Sequence, residues 1–191
     1  MELLERDGER EILESAMEEA ATAGRVVVVT GEAGIGKTAL VSSVVHGRPV
    51  LWGACDPLIT PRPMGPLRDV AREAGGPLVE GSREDLLSAV LDELRAPAAL
   101  VVEDLHWADD ATLDFVALLG RRLPRSRGCL ILTCRPEQRP EVRRVLAALP
   151  RGSRCRGCTP RRRRRARSRT RPRGRPCARS PGPRWSARSA A

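Results

Sequence analysis

The sequence predicts an α/β fold in which a parallel sheet is flanked by helices. Short apolar runs, rich in valine and leucine, alternate with longer segments whose apolar residues recur at helical spacing. Such alternation is typical of parallel strands joined by crossover helices, with functional residues at the carboxyl ends of the strands. The predicted strands are residues 25–30, 49–52, 98–102 and 129–134, and the predicted helices are residues 8–23, 37–47, 66–74, 82–95, 110–122 and 140–149.

The first predicted strand leads through a glycine-rich loop into a helix. The β-branched run Arg25–Thr30 is followed by Gly-Glu-Ala-Gly-Ile-Gly-Lys-Thr, which has the spacing G-x-x-x-x-G-K-[ST] of a phosphate-binding P-loop. The glycines allow backbone N–H groups to point inward at phosphate, and the helix N-terminus adds positive partial charge. The predicted nucleotide-binding residues are therefore Gly31, Glu32, Ala33, Gly34, Ile35, Gly36, Lys37 and Thr38.

Lys37 is the single lysine among 34 basic residues, and all the others are arginine. A compact ammonium suits contact with the β- and γ-phosphates, whereas the planar fork of arginine is a poor replacement there. The hydroxyl of Thr38 is a predicted ligand of Mg²⁺. The predicted ligands are thus ATP and Mg²⁺.

The third predicted strand, residues 98–102, is apolar and is followed by two acidic residues, Glu103 and Asp104. A P-loop site needs a carboxylate at the end of such a strand to hold Mg²⁺ through water. Glu103 is predicted at the metal-water position and Asp104 beside the attacking water, although the order of the two roles stays open. The predicted metal set is therefore Thr38, Glu103 and Asp104.

Arg135 ends the fourth predicted strand, beside the expected position of the γ-phosphate. A fixed cation there can sense the phosphate and stabilise charge that develops during transfer. Glu103, Asp104 and Arg135 are therefore assigned to the catalytic step. Of the residues that follow the acidic pair, Trp107 is predicted to pack structurally. His106 is predicted to be solvated or to cap a helix, rather than to contact the nucleotide.

Four segments together resemble large ATP-binding LuxR-type transcriptional regulators of actinobacteria, which belong to the STAND branch of AAA-like ATPases. They are the motif Glu-Leu-Leu-Glu-Arg-Asp that contains Arg6, the P-loop, the proline-rich loop 55–66 and the motif Glu-Asp-Leu-His-Trp-Ala-Asp at 103–109. The resemblance covers about residues 2–150. It implies a module that ATP closes for assembly and slow hydrolysis resets, and it places Arg6 beside the nucleotide.

The resemblance ends near residue 150, after which such regulators continue into a fifth strand, a winged-helix lid, helical repeats and a helix-turn-helix. The sequence after residue 150 lacks their apolar patterns. We therefore expect a sheet truncated before its fifth strand and lid, with the first strand left as an exposed edge. A site without its lid would be wet, so we expect weak ATP binding and little turnover.

The predicted domains are an ATP-binding domain at residues 1–150 and a disordered arginine-rich tail at 151–191. The tail has 16 arginines, no acidic residue and no Val, Ile, Leu, Met or Phe, whereas residues 1–150 carry a net charge of −6. The tail suits three interpretations: the end of a truncated regulator, a grip on nucleic-acid phosphates with the ATPase domain as a switch, or a reading-frame artefact. The third is favoured because composition and periodicity change together near residue 151.

The cysteines, the N-terminus and the length of the apolar runs bear on metal binding and on the cellular location of the protein. Cys55, Cys129 and Cys134 are predicted as small core residues, and Cys155-Arg-Gly-Cys158 lacks a fourth ligand for zinc. The N-terminus is acidic without a signal-peptide apolar region, and no apolar run approaches the roughly 20 residues of a membrane span. We therefore expect a cytoplasmic protein without a membrane partner, which associates with itself or with full-length regulators.

Overall fold

The computed structural model describes residues 6–73, 82–94, 98–150 and, for the backbone alone, 154–158. All of its helices and strands lie in one compact unit, Met1–Pro160. In chain order they are α1 (Asp7–Glu19), β1 (Arg25–Gly31), α2 (Lys37–Val45), β2 (Val50–Ala54), α3 (Gly65–Glu73), α4 (Arg83–Glu93), β3 (Ala99–Glu103), α5 (Asp110–Arg122), β4 (Cys129–Cys134), α6 (Pro140–Ala148) and β5 (Arg154–Cys158). Two short 3-10 helices, Leu105–Trp107 and Leu123–Arg125, flank α5.

The sheet has five strands in the order β2-β3-β4-β1-β5, and every neighbouring pair is parallel. Val27 of β1 and Val101 of β3 both pair with Ile131 of β4. The carboxyl ends of β1, β3 and β4 therefore lie side by side at one edge of the sheet. The loop after β1, the acidic pair after β3 and Arg135 after β4 all start from this edge.

Each face of the sheet is covered by helices. Alternate side chains of a strand point to opposite faces, so Val27 and Val29 pack with α1 and α2, and Val26 and Val28 pack on the other side. That other side is covered by α3, α4, α5 and α6, and Phe115 is fully buried there. Burial on both faces explains why the inner strands are apolar throughout their length.

The structure confirms the four predicted strands and all six predicted helices. Most helix ends lie within a few residues of the predicted ones, and Ser82 caps α4 together with Asp85 in a capping box. Cys55, Cys129 and Cys134 are buried, as predicted. None of the helices in the described ranges is long and apolar enough to cross a bilayer.

The structure has a fifth strand at the edge of the sheet, which the sequence analysis does not predict. β5 pairs with β1, with Val28 opposite Arg154, Val29 opposite Cys155 and Gly31 opposite Cys158. The prediction relied on apolar periodicity, which reports burial of side chains. Pairing at the edge of a sheet uses the main-chain N–H and C=O groups that every residue of Arg154–Cys158 carries. β1 is therefore an inner strand. Apart from 154–158, the predicted disordered and frame-shifted tail at residues 151–191 lies outside the described residues.

A matched pair of shortened chains tests the contribution of β5. A chain ending at Pro150 leaves the outer edge of β1 without its partner, and we expect its free energy of unfolding to be about 1–3 kcal/mol below that of a chain ending at Pro160, because a few strand hydrogen bonds are lost. Urea unfolding of the two chains, followed by circular dichroism, measures the difference. Identical midpoints would contradict the pairing.

The three buried cysteines predict a loss of stability at alkaline pH. Burial raises the pKa of the Cys55, Cys129 and Cys134 thiols from 9.0 to about 12. The folded state keeps protons that the unfolded thiols release, so this stability is complete below pH 9.0 and is lost as pH rises toward 12. Urea midpoints measured from pH 8 to pH 10.5 should fall, and they should fall less in Cys129→Ala.

The same burial predicts that these thiols are unreactive in the folded protein. Iodoacetamide at pH 8, followed by peptide mass spectrometry, should label Cys55, Cys129 and Cys134 far more slowly in buffer than in urea, because thiolate is the reacting form. Equal labelling under the two conditions would show that one of these sites opens to solvent.

Candidate functional site

The loop between β1 and α2 has a backbone that two of its glycines make possible. Gly34 has a φ of 72° and Gly36 a φ of 89°, which is the left-handed region where side chains with a Cβ are strained. The N–H of Ile35 turns back to the carbonyl of Glu32. The loop therefore wraps ahead of α2, where the first N–H groups of the helix have no intrahelical acceptor.

Lys37 lies across the mouth of this loop and is 8% exposed. Its Nζ donates to the carbonyl oxygens of Gly31 and Glu32, each at 3.0 Å. An ammonium has three N–H donors, so these two bonds leave capacity for a further oxygen. The arrangement holds a cation beside the loop and the first N–H groups of α2, which suits a multiply charged anion.

Arg6 meets the loop from the start of α1. One nitrogen of its guanidinium donates to the carbonyl oxygen of Ile35. The resemblance alone had placed Arg6 beside the nucleotide, and the structure brings it to the loop. Its contact is with the loop backbone, so it supports the shape of the loop.

Thr38 and Glu103 are joined by a hydrogen bond between the start of α2 and the end of β3. The hydroxyl of Thr38 donates to Glu103 Oε1 at 2.6 Å. The second carboxylate oxygen, Oε2, accepts a hydrogen bond from Trp52 Nε1 at 3.2 Å. The structure thus brings together two of the three predicted metal residues, and it adds Trp52, which the sequence analysis missed.

The oxygen donors of Thr38 and Glu103 fit Mg²⁺, which prefers few protein ligands together with phosphate and water. In the part of the chain that the structure describes, no group of three or more His, Cys, Asp or Glu side chains is placed to hold a metal ion.

Asp104 turns the chain sharply after β3. Its φ of 51° and ψ of 43° lie in the left-handed region, which Asp tolerates better than most residues. Its N–H donates to the hydroxyl of Thr133 on β4 at 3.0 Å. Thr133 is 1% exposed and was also missed, although a threonine within an otherwise apolar strand end is a signal that could have indicated it.

Arg135 lies over the ring of Trp107, with 5.7 Å from its Cζ to the ring centroid. A guanidinium at this distance from an indole face is attracted by the ring quadrupole. Trp107 is 39% exposed, and its ring also packs against the ring of His106, with 5.1 Å between the two centroids. The predicted cation after β4 is present at the edge, and its described contact is this ring.

His106 is buried, so the prediction that it is solvated or capping is wrong. Neither ring nitrogen has a hydrogen-bond partner among the described residues, and Asp104 Oδ1 is 3.9 Å from Nδ1, too far for a hydrogen bond. Burial lowers the pKa of His106, the Asp104 charge opposes this, and the charges of Arg135 and Lys37 lower it further. The 3-10 helix after Asp104 folds a neutral imidazole inward.

An open cleft of about 430 Å³ lies beside these residues, a volume within the range of ligand pockets. Its walls combine apolar, cationic and acidic groups, and they are formed by Leu58, Ile59, Pro61, His106, Trp107, Arg135, Glu137 and Arg139. The proline-rich loop therefore forms one wall, and the residues after β3 and β4 form the others.

Solved structures with a similar fold include a Walker-type ATPase of Pyrococcus abyssi. It is 14% identical to this chain, with a TM-score of 0.52, and the match covers 69% of this chain and 45% of the other. The Drosophila ORC bound to AT-rich DNA and Cdc6 is 13% identical, with a TM-score of 0.44 and coverages of 73% and 53%. Thermotoga maritima RuvB is 13% identical, with a TM-score of 0.42 and coverages of 73% and 42%.

The first of these comparisons shows the fold, and this chain covers about half the length of each of these three solved chains. No curated protein matches it. Residues 2–132, which are more than half of the chain, match the family described as AAA ATPase domain. The match includes the glycine-rich loop, Lys37, Thr38 and the acidic pair after β3. The chain therefore belongs to the AAA ATPase domain family.

Proposed function

We propose that this chain is an ATP-binding regulatory module with slow hydrolysis, and that it is the nucleotide-binding part of a LuxR-type transcriptional regulator of the STAND branch. The observation that carries the ATP site is the hydrogen bond between Thr38 and Glu103, which joins the end of the phosphate loop to the acidic end of β3. Hydroxyl and carboxylate meet where a P-loop ATPase binds its metal. The assignment to LuxR-type regulators rests on three sequence motifs, namely the motif that contains Arg6, the proline-rich loop 55–66 and residues 103–109.

In this proposal the loop amides and Lys37 bind the β- and γ-phosphates. Thr38 supplies its hydroxyl, and Glu103 accepts hydrogen bonds from water on Mg²⁺, whose positive charge would stabilise the transferring phosphoryl group when bound. Asp104 orients the attacking water and accepts its proton. The turn at Asp104, fixed by Thr133, supports this role because it aims a half-exposed carboxylate away from the core.

Two features support slow rather than fast hydrolysis. Lys37 already donates to two carbonyls, and Arg135 already lies on Trp107, so binding of phosphate exchanges existing contacts for new ones. The cleft beside His106 is open, and water in a site weakens its electrostatic interactions. We infer that the module is a switch whose state depends more on which nucleotide is bound than on the rate of hydrolysis.

The composition of residues 151–191 supports two alternative interpretations of this segment. Sixteen arginines would give salt-dependent binding to nucleic acid, and the abrupt change near residue 151 supports a shifted reading frame. Translation of the other forward frames downstream of codon 150 separates the two. A frame that continues with apolar periodicity supports the shift, whereas its absence favours nucleic-acid binding. A gel shift lost on deletion of 161–191 would then test that function.

The first prediction from this function concerns Lys37. Lys37→Ala removes the ammonium and should weaken binding of Mg-ATP at least about tenfold, because the phosphates lose a charge-assisted hydrogen bond. Isothermal titration measures the affinity. Arg121→Ala is the matched control, since it removes one exposed positive charge at the end of α5 that lies at the opposite edge of the sheet. Equal affinities for wild type and Lys37→Ala would remove the basis of the ATP site.

The second prediction separates hydrolysis from binding. Asp104→Asn should bind Mg-ATP as wild type does, because Asn also tolerates the left-handed backbone that this turn requires. Its rate of phosphate release should fall about 10²-fold, because the carboxylate that accepts the proton is gone. Phosphate release in a single-turnover experiment, with titration of the same protein, measures both. An unchanged rate of phosphate release would indicate that Glu103, rather than Asp104, orients the attacking water and accepts its proton.

A further inference from the structure

The Glu103 carboxylate accepts hydrogen bonds from two different elements, helix α2 and strand β2. The Thr38 hydroxyl of α2 donates to Oε1 at 2.6 Å, and the Trp52 indole of β2 donates to Oε2 at 3.2 Å. An indole N–H can only donate, and an ionised carboxylate can only accept. Trp52 is therefore the donor and Glu103 the acceptor in this hydrogen bond. Both oxygens of the carboxylate are therefore fixed from opposite sides.

The position of Trp52 follows from the pairing of β2 with β3. Trp52 lies opposite Val101, and Glu103 lies two residues further along β3, so Trp52 and Glu103 are diagonal neighbours on one face. The indole also packs against the apolar cluster formed by α1, α2 and the inner strands. Packing on this side leaves Nε1 directed at the carboxylate.

A glutamate at this position needs such a restraint. P-loop ATPases commonly hold Mg²⁺ with an aspartate, whereas Glu103 has one more methylene and one more rotatable bond. A longer side chain samples more positions of its carboxylate unless a second contact restricts it. Hydrogen bonds with an ionised partner are the strong ones, so a donor on a packed ring is an effective restraint.

We propose that Trp52 is a positioning residue of the metal site: it holds Oε2 of Glu103 so that Oε1 stays at the Thr38 hydroxyl, and it thereby sets the affinity for Mg²⁺. This rests on the proposed function. It assigns a role to β2, the outer strand of the sheet on that side, which carries no residue of the P-loop or of the acidic pair.

Trp52→Phe tests the proposal because it keeps an aromatic ring and removes the N–H. The Mg²⁺ concentration that gives half-maximal binding of ATP should rise about tenfold, the usual effect of losing one hydrogen bond to a charged group. The affinity for ATP in EDTA should stay as in wild type. Leu51→Ala is the control for weaker packing of β2: it should lower the midpoint of thermal unfolding and leave the Mg²⁺ dependence unchanged.

A double-mutant cycle shows whether Trp52 acts through Glu103. In a Glu103→Ala background, Trp52→Phe should have no further effect on the Mg²⁺ dependence, because the carboxylate it restrains is absent. An effect of equal size in both backgrounds would overturn the positioning role. So would a wild-type Mg²⁺ dependence in the single Trp52→Phe variant, even where Lys37→Ala has confirmed the ATP site.

The indole resonance gives a readout that needs no nucleotide. The chain has three tryptophans, so the three Nε1–H signals in a ¹H–¹⁵N spectrum can be assigned with single Phe variants. The Trp52 signal should move in Glu103→Ala, and an unmoved signal would overturn the contact even if Trp52→Phe fails to fold. Wild type that binds no Mg-ATP at all, with the indole signal still sensitive to Glu103, would reject the proposed function and with it this role.

Discussion

The hydrogen bond between Thr38 and Glu103 depends on one constraint, the parallel alignment of β3, β4 and β1 with their carboxyl ends at a common edge. β4 lies between the other two strands, so the loop after β1 and the acid after β3 meet across its end. The same arrangement lets Thr133 of β4 hold the backbone of Asp104. The loop after β1, the acidic pair after β3 and Arg135 after β4 all start from this edge, where the strands stop and main-chain groups are no longer paired within the sheet.

The edge contains several features that a stable protein core avoids. Asp104 and two loop glycines have left-handed backbone conformations, and the buried ring of His106 has no hydrogen-bond partner among the described residues. A left-handed residue other than glycine and an unpaired buried polar group each cost free energy of the order of 1–3 kcal/mol, whereas glycine adopts this conformation readily. The fully buried valines, leucines and isoleucine of β1, β3 and β4 lie directly below and offset these terms. Strain and unsatisfied polar groups are thus concentrated where a ligand can interact with them.

The cationic groups of the site already have internal partners. Lys37 donates to loop carbonyls, and Arg135 lies on the Trp107 ring at the side of the open cleft. Within the proposed function, phosphate competes with these contacts, so the release of Arg135 from Trp107 couples the nucleotide to the shape of the cleft. The proline-rich loop, with Ile59 fully exposed, forms the facing wall.

The sequence by itself determined the inner strands, the helices, the phosphate loop and the acidic pair, because these depend on local periodicity and on the spacing of residues along the chain. Only the tertiary structure decided the partners of Glu103 and Asp104, since Trp52 and Thr133 come from neighbouring strands whose order the spacing does not encode. The burial of His106 depends on a turn that Asp104 makes in space. The fifth strand escaped sequence reasoning because its pairing with β1 uses main-chain groups, which apolar periodicity does not report.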